Sequence, residues 1–215
     1  MQSIEALVAS CVATIEASHA ARERALTASR ALIRQCANCI RAAHRGTHAE
    51  ALALLDGARG IAEQLLAATA GYPELRFAGY TQDALKEFAE ANLVVAMLFG
   101  GELPDAAALL IDPAAYLNGL AEAASELRRA ILDGLRRGEV ERGEQLLGVM
   151  DDVYSALVTV DYPDAITGGL RRTTDALRAV LERTRGDMTA ALRQEQLVAA
   201  MARLEGRLTG KRESI

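Results

Sequence analysis

Four glutamates carry the first chemical suggestion in this chain. Glu87 and Glu90 lie three apart in Lys86-Glu-Phe-Ala-Glu-Ala91, and Glu122 and Glu126 lie four apart in the stretch from Tyr116 to Arg129. On a helix either spacing puts both carboxylates on one face. Two such pairs offer several oxygens with no His or Cys among them, the donor set of a hard cation such as Mg²⁺ or Mn²⁺. A site of that kind activates water and offsets charge developing on a phosphodiester. The plainer alternative is a solvated face on which each glutamate pairs with a nearby Arg, and spacing alone does not choose between the two. Glu90 is set apart by its neighbours, Phe88-Ala89 before it and the apolar run 91–99 after it. A carboxylate at the edge of a buried stretch is costly unless it is paired or bound to a cation. Gly119, Ala123 and Ser125 surround the second pair with small side chains, which lets a helix or a ligand come close.

The second suggestion is basic. Between residues 20 and 45 the acid Glu23 stands against Arg22, Arg24, Arg30, Arg34, Arg41 and Arg45. At 100° per residue, Arg30, Arg34, Arg41 and Arg45 fall within about 60° of one another on a helix. This is the best phosphate-contact candidate in the chain. Its alternative is a solvated or intersubunit salt-bridge face. No aromatic residues interleave, so base stacking is a minor contribution.

The elements that must position these groups read as helices. Residues 3–45 contain no Pro or Gly and carry apolar or small residues at Leu26, Ser29, Ile33, Cys36, Ile40 and Ala43, a helical period. Gly46 supplies a stop. Further helices are expected from Thr47 to about residue 70, from 81 to 99 (ended by Gly100-Gly101) and from Asp112-Pro113 to about 137. Three more are expected over 139–160, 164–185 and, restarted at Gly186-Asp187, to about 208; a short helical piece near 105–110 is also possible. The expectation is an all-α, single-domain bundle of about seven helices spanning 1–208, with a long N-terminal helix and a flexible tail at 209–215.

Composition agrees with that reading. The chain has 215 residues, 51% hydrophobic and 25% charged, with 4% aromatics, no Trp and 4 Pro, which disfavours both disorder and a β-sandwich. A net charge of -5 means that any nucleic-acid site is local. Three cysteines make no disulfide framework, and no leader pattern opens the sequence, so a cytoplasmic setting is expected. The apolar run 91–99 is too short to span a membrane. Cys36-Ala-Asn-Cys39 reads as buried thiols, Glu16-x-x-His19 lacks the partner motif a di-iron site needs, and His19, His44 and His48 read as surface histidines near the basic region. No glycine-rich phosphate loop or Gly-x-Ser-x-Gly is present.

The ordered set of motifs is more specific than any one of them: Arg22 to Arg30, Ile40-Arg-Ala-Ala-His-Arg45, Lys86 to Ala91, Tyr116-Leu-Asn-Gly-Leu with Ser125-Glu-Leu-Arg-Arg129, Tyr162-Pro-Asp, and Leu170-Arg-Arg-Thr-Thr-Asp-Ala-Leu-Arg178 with Leu181-Glu182. Over roughly residues 20–200 the chain resembles the translin family, and within it a prokaryotic-type relative of translin-associated factor X. The resemblance implies a seven-helix subunit in closed, roughly octameric homo-oligomeric shells or rings that bind single-stranded RNA or DNA. In the factor X branch it implies a Mg²⁺-dependent endoribonuclease. That branch's Gln-Glu-x-x-Glu-Ala acids fall on Glu87 and Glu90, with Lys86 replacing the Gln. The Asp and Glu of its second motif fall on Glu122 and Glu126, with Ser125 in place of a Gly. By the same resemblance, Glu87, Glu90, Glu122 and Glu126 are the catalytic metal ligands, and Arg22, Arg30, Arg34, Arg41 and Arg45 hold the nucleic-acid backbone. The water's proton needs a carboxylate acceptor, and Glu90 is the candidate for it. Two other readings stand beside the endoribonuclease: a non-catalytic single-stranded RNA- or DNA-binding ring, as in the translin branch, and a helical scaffold without a nucleic-acid role.

Overall fold

The computed structural model describes residues 3–210, and every regular element in them is helical. The chain runs α1 (Ile4–His44), α2 (His48–Thr69), α3 (Pro73–Arg76), α4 (Gly79–Phe99), α5 (Pro113–Leu135), α6 (Val140–Leu157), α7 (Asp164–Thr167) and α8 (Leu170–Gly210). α3 and α7 are single turns that the sequence reading did not separate. The break expected at Gly186 does not occur, and the two segments around it form one helix, α8. An exposed helix-interior glycine costs about 1 kcal/mol, while Leu181, Thr184 and Met188 on either side of Gly186 are buried and hold the helix in place. Within the stretch 105–110, residues 106–110 are turns rather than a helix, and Leu110 takes a positive φ of 57°. Of the expected tail, Thr209 and Gly210 still belong to α8, and 211–215 lie outside the described residues.

The helices stack in the order of the chain. α1 packs on α2 and α4, α4 on α5, α5 on α6 and α8, and α6 on α8. The middle of this stack is α4, buried all round from Phe88 to Met97. α1 turns Ala25, Ser29, Leu32, Cys36, Cys39 and Ala43 inward. Ser29, Cys36 and Ala43 face inward as expected, but Leu26 and Ile40 are only partly buried and Ile33 is exposed, so the face is rotated from the expected line. Alanines at 21, 25, 42 and 43 account for the rotation, because a small-residue face admits neighbouring helices more closely than a line of branched side chains. Cys36 and Cys39 are buried thiols, as expected. Cys39 Sγ donates to the Ala51 carbonyl at 3.3 Å, and burial pushes its pKa up to about 11.

Asp112 occupies the expected N-cap position of α5 without capping it through its side chain. Its Oδ2 instead accepts from Arg76 Nε (3.1 Å) and Gln82 Nε2 (3.0 Å), tying α3 and α4 to the start of α5. Further along α5, Asn118 donates Nδ2 to the Thr167 and Ala114 carbonyls and accepts Thr173 Oγ1, which fixes α7 and α8 against it.

Both long helices overhang the bundle. Ile4, Leu7, Val8, Val12 and Ile15 of α1 are exposed, as are Leu197, Val198, Met201 and Leu204 near the end of α8. The α1 residues lie within about 140° of arc, a continuous apolar stripe. By length and composition alone, α1 also contains a stretch apolar enough to cross a bilayer, which a search for uninterrupted apolar runs passes over.

Candidate functional site

Gly119 makes the site possible. On α5 it lies against α4 so closely that an added Cβ would fall 2.7 Å from the Lys86 carbonyl oxygen, 2.9 Å from Ala89 Cβ and 3.2 Å from the Glu90 nitrogen. This contact sets the carboxylates of α4 beside those one and two turns further along α5. Carboxylate oxygens of Glu87, Glu90 and Glu122 lie within 4.8 Å of one another. Together with Glu126 they line a cleft of about 510 Å³ that also takes in Arg41 from α1 and Lys86, Ser125 and Arg129.

The four acids are not equivalent. Glu90 is 8% exposed and has no hydrogen-bond or ion-pair partner among the described residues. Burial, reinforced by the charges of Glu87, Glu122 and Glu126, raises its pKa to about 8, so the carboxyl keeps its proton at neutral pH when no cation is bound. Burial also raises Glu87, partly opposed by Lys86. Lys86 Nζ donates to Glu122 Oε1 at 2.8 Å. Glu126 Oε2 accepts from His44 Nε2 at 2.7 Å, and that hydrogen bond lowers the glutamate's pKa. Glu126 therefore lines the cleft but lies outside the tight group of three. Burial works against the Lys86 ammonium, yet the hydrogen bond to Glu122 and the charges of Glu122, Glu87 and Asp83 outweigh it and raise the pKa.

The arginine stripe divides. Arg41 lines the cleft and hydrogen-bonds Asn38. Arg30 and Arg34 lie exposed on the same helix with no ion pair among the described residues. Arg22 pairs with Glu23 at 3.0 Å and Arg45 with Glu50 at 2.8 Å, both on the surface. Three participants escaped the sequence reading. His44, read as a surface residue, has a side chain only 1% exposed, and its Nδ1 is buried without a partner. Lys86 reaches across to α5. Arg129 enters beside Glu126. For His44 a signal was present, since it is one residue from Ala43 on the inward face of α1 and directly precedes the helix end.

The donor set fits a hard divalent cation. Of the three converging carboxylates Glu122 is paired with Lys86, while Glu90 is buried with no partner among the described residues, and the oxygens left over match the ligand type of such an ion.

The all-α stack with a long N-terminal helix is the architecture of the translin-like class. No family model matches the chain. It is 30% identical over 187 residues to an uncharacterized protein of Methanocaldococcus jannaschii, covering 86% of this chain and 82% of that one. Among solved structures it is similar to AfC3PO, at 33% identity, a TM-score of 0.79, and 86% and 96% of the two chains covered. It is equally similar to AfC3PO in a complex with duplex RNA, at 33% identity, a TM-score of 0.77, and 86% and 95% covered. Apo-NeC3PO shares the fold at 16% identity, with a TM-score of 0.78 over 89% of this chain and 98% of that one. The chain belongs to the C3PO family of translin- and factor X-like proteins.

Proposed function

We propose that this protein is a Mg²⁺-dependent endoribonuclease that binds single-stranded RNA and works inside a closed homo-oligomeric shell. The observation that carries the reading is Glu90, a buried carboxylate without a partner among the described residues, which converges with Glu87 and Glu122. RNA as the ligand is supported by the duplex RNA complex of AfC3PO and by the unpaired Arg30 and Arg34 leading along α1 to Arg41 at the cleft. Single strands suit a cleft of about 510 Å³ set between helices, because an unpaired backbone can bend into it and a duplex is stiff. Closed assembly is supported by the bare apolar stripes on α1 and α8, which a monomer would leave in water.

Glu87, Glu90 and Glu122 would hold Mg²⁺ (Mn²⁺ being an alternative), which when bound polarises water and neutralises charge on the phosphate. Arg41 and Arg129 flank the carboxylates and orient the phosphodiester. Glu90, ionised once the cation is bound, would be the proton acceptor of the group through an oxygen that does not ligate the ion. His44 holds Glu126 through the bond at 2.7 Å, so Glu126 is aimed by α1 rather than by its own helix alone. Phosphate contacts carry no base information, so cleavage should show weak sequence preference.

Labelled single-stranded and duplex RNA incubated with Mg²⁺ or with EDTA tests this reading. Cleavage of the single strand is expected with Mg²⁺ only, and it should vanish in Glu122→Gln. Removing two single-strand phosphate contacts with Arg34→Ala and Arg41→Ala should lower the slope of log affinity against log salt by roughly 1.4. Binding without metal-dependent cleavage would convert the reading to a non-catalytic ring. Absence of RNA affinity would leave a helical scaffold. The mass in solution, measured on the same preparation, should be a multiple of the 22.9 kDa chain.

A further inference from the structure

We propose that Lys86 is a built-in cation of the carboxylate cleft, its ammonium occupying one of two adjacent cation seats, so that the centre takes a single divalent ion. This deepens the metal reading above and rests on it.

Two contacts meet at Glu122. Its Oε1 accepts from Lys86 Nζ at 2.8 Å. A carboxylate oxygen of Glu122 also lies within 4.8 Å of carboxylate oxygens of Glu87 and Glu90. A paired metal centre needs such an arrangement, with two cations about 3.5–4 Å apart around a shared acid. Here an amino-acid side chain already fills one position. An ammonium held on Glu122 repels a divalent ion bound to the same carboxylate and competes for an oxygen that Mg²⁺ would draw to about 2.0–2.1 Å.

Charge counting agrees. The cleft is lined by four carboxylates, Glu87, Glu90, Glu122 and Glu126, and three cations, Lys86, Arg41 and Arg129. With every group ionised it stands at minus one. One divalent ion brings it to plus one, which matches the single negative charge of a phosphodiester. Two ions would bring it to plus three and leave Lys86 repelled from Glu122. Lys86 is also half-buried, with the Glu87 and Asp83 charges acting on it besides Glu122, so its ammonium has acids on its own helix and on the facing one.

Mn²⁺ counted by the loss of its free-ion magnetic resonance signal tests the assignment without reference to cleavage. The full chain, stripped with EDTA, is titrated beside Lys86→Gln and Lys86→Arg. The wild-type chain should take one Mn²⁺. Lys86→Gln, which removes the charge and shortens the reach, should take two, with the first bound about tenfold tighter or more, a change of ~1.4 kcal/mol. Lys86→Arg restores the charge and should return to one. Unchanged stoichiometry and affinity in Lys86→Gln, or two ions in the wild type, overturns the role of Lys86 while leaving the metal site standing. No binding by any of the three overturns both readings. Thermal melts of the three proteins check that each is folded during the titration.

Discussion

Replacing Glu90 with Gln is expected to abolish Mg²⁺-dependent cleavage and, in the metal-free protein, to raise the melting temperature at about pH 8.5 by roughly 5–10 °C. The two effects share one cause. Glu90 is buried among other acids, and its folded pKa of about 8 stands well above the ordinary 4.5. Below 4.5 both folded and unfolded chains hold the proton, and the group costs little. Between 4.5 and about 8 the unfolded chain releases the proton and the folded chain keeps it. The unfolded state then binds fewer protons, and stability falls as pH rises through that window. Each unit of separation is worth about 1.4 kcal/mol at most, so the loss by pH 8 is on the order of a few kcal/mol. Gln fills the same volume and does not titrate. The variant should therefore match the wild type near pH 5 and exceed it increasingly up to about pH 8, with no further gain above. Added Mg²⁺ should reverse the ranking in alkaline buffer, because only the wild type gains the binding free energy of the ion. Melts at fixed protomer concentration, with EDTA or with Mg²⁺, read both effects. A difference between the two proteins that does not change with pH would mean that Glu90 is not a destabilised acid held in place for its chemistry.

That tension between stability and function was partly visible in the amino-acid order. Glu90 between Phe88-Ala89 and a long apolar run already announced a carboxylate in an expensive place. Helix ends were legible where the backbone demands a special residue: Gly46 and Gly100 take φ of 74° and 79°, and Pro113 opens α5. Gly186 misled because nothing in its own residue type distinguishes a stop from an exposed position in a helix held on both sides by buried side chains. Hydrophobicity likewise misplaced the inward face of α1, since alanines score weakly yet permit the closest packing. Which carboxylates meet was harder still. Glu-x-x-Glu and Glu-x-x-x-Glu define faces, not partners, and the pairing of α4 with α5 came from the order of motifs in the family resemblance. The bonds that divide the four acids, Lys86 to Glu122 and His44 to Glu126, join residues 36 and 82 positions apart. No local pattern contains them.

Gly119→Ala should reduce divalent-ion affinity by roughly 10–100-fold, as loss of a supporting contact does at metal sites, and should also destabilise the fold. On helix propensity alone the change would be favourable by about 1 kcal/mol. The packing outweighs it. The new methyl would stand 2.7 Å from the Lys86 carbonyl oxygen and 3.2 Å from the Glu90 nitrogen, both backbone atoms that cannot swing aside, and 2.9 Å from Ala89 Cβ. Relief requires α4 and α5 to part, and overpacking of this kind costs typically 1–3 kcal/mol. The segment that must move carries Lys86, Glu87 and Glu90, and the facing one carries Glu122 a single turn from Gly119, so the separation falls on the group of oxygens now within 4.8 Å. A matched control lies in α6. Gly148 is exposed, and nothing lies within 4 Å of a Cβ added there, so Gly148→Ala should stabilise by about 0.5–1 kcal/mol and leave ion binding unchanged. Opposite signs for the same substitution, read by thermal melts and Mn²⁺ titration, would tie the cleft to the approach of the two helices at one residue. Equal and harmless effects at both positions would mean that the acids are brought together by something other than this contact.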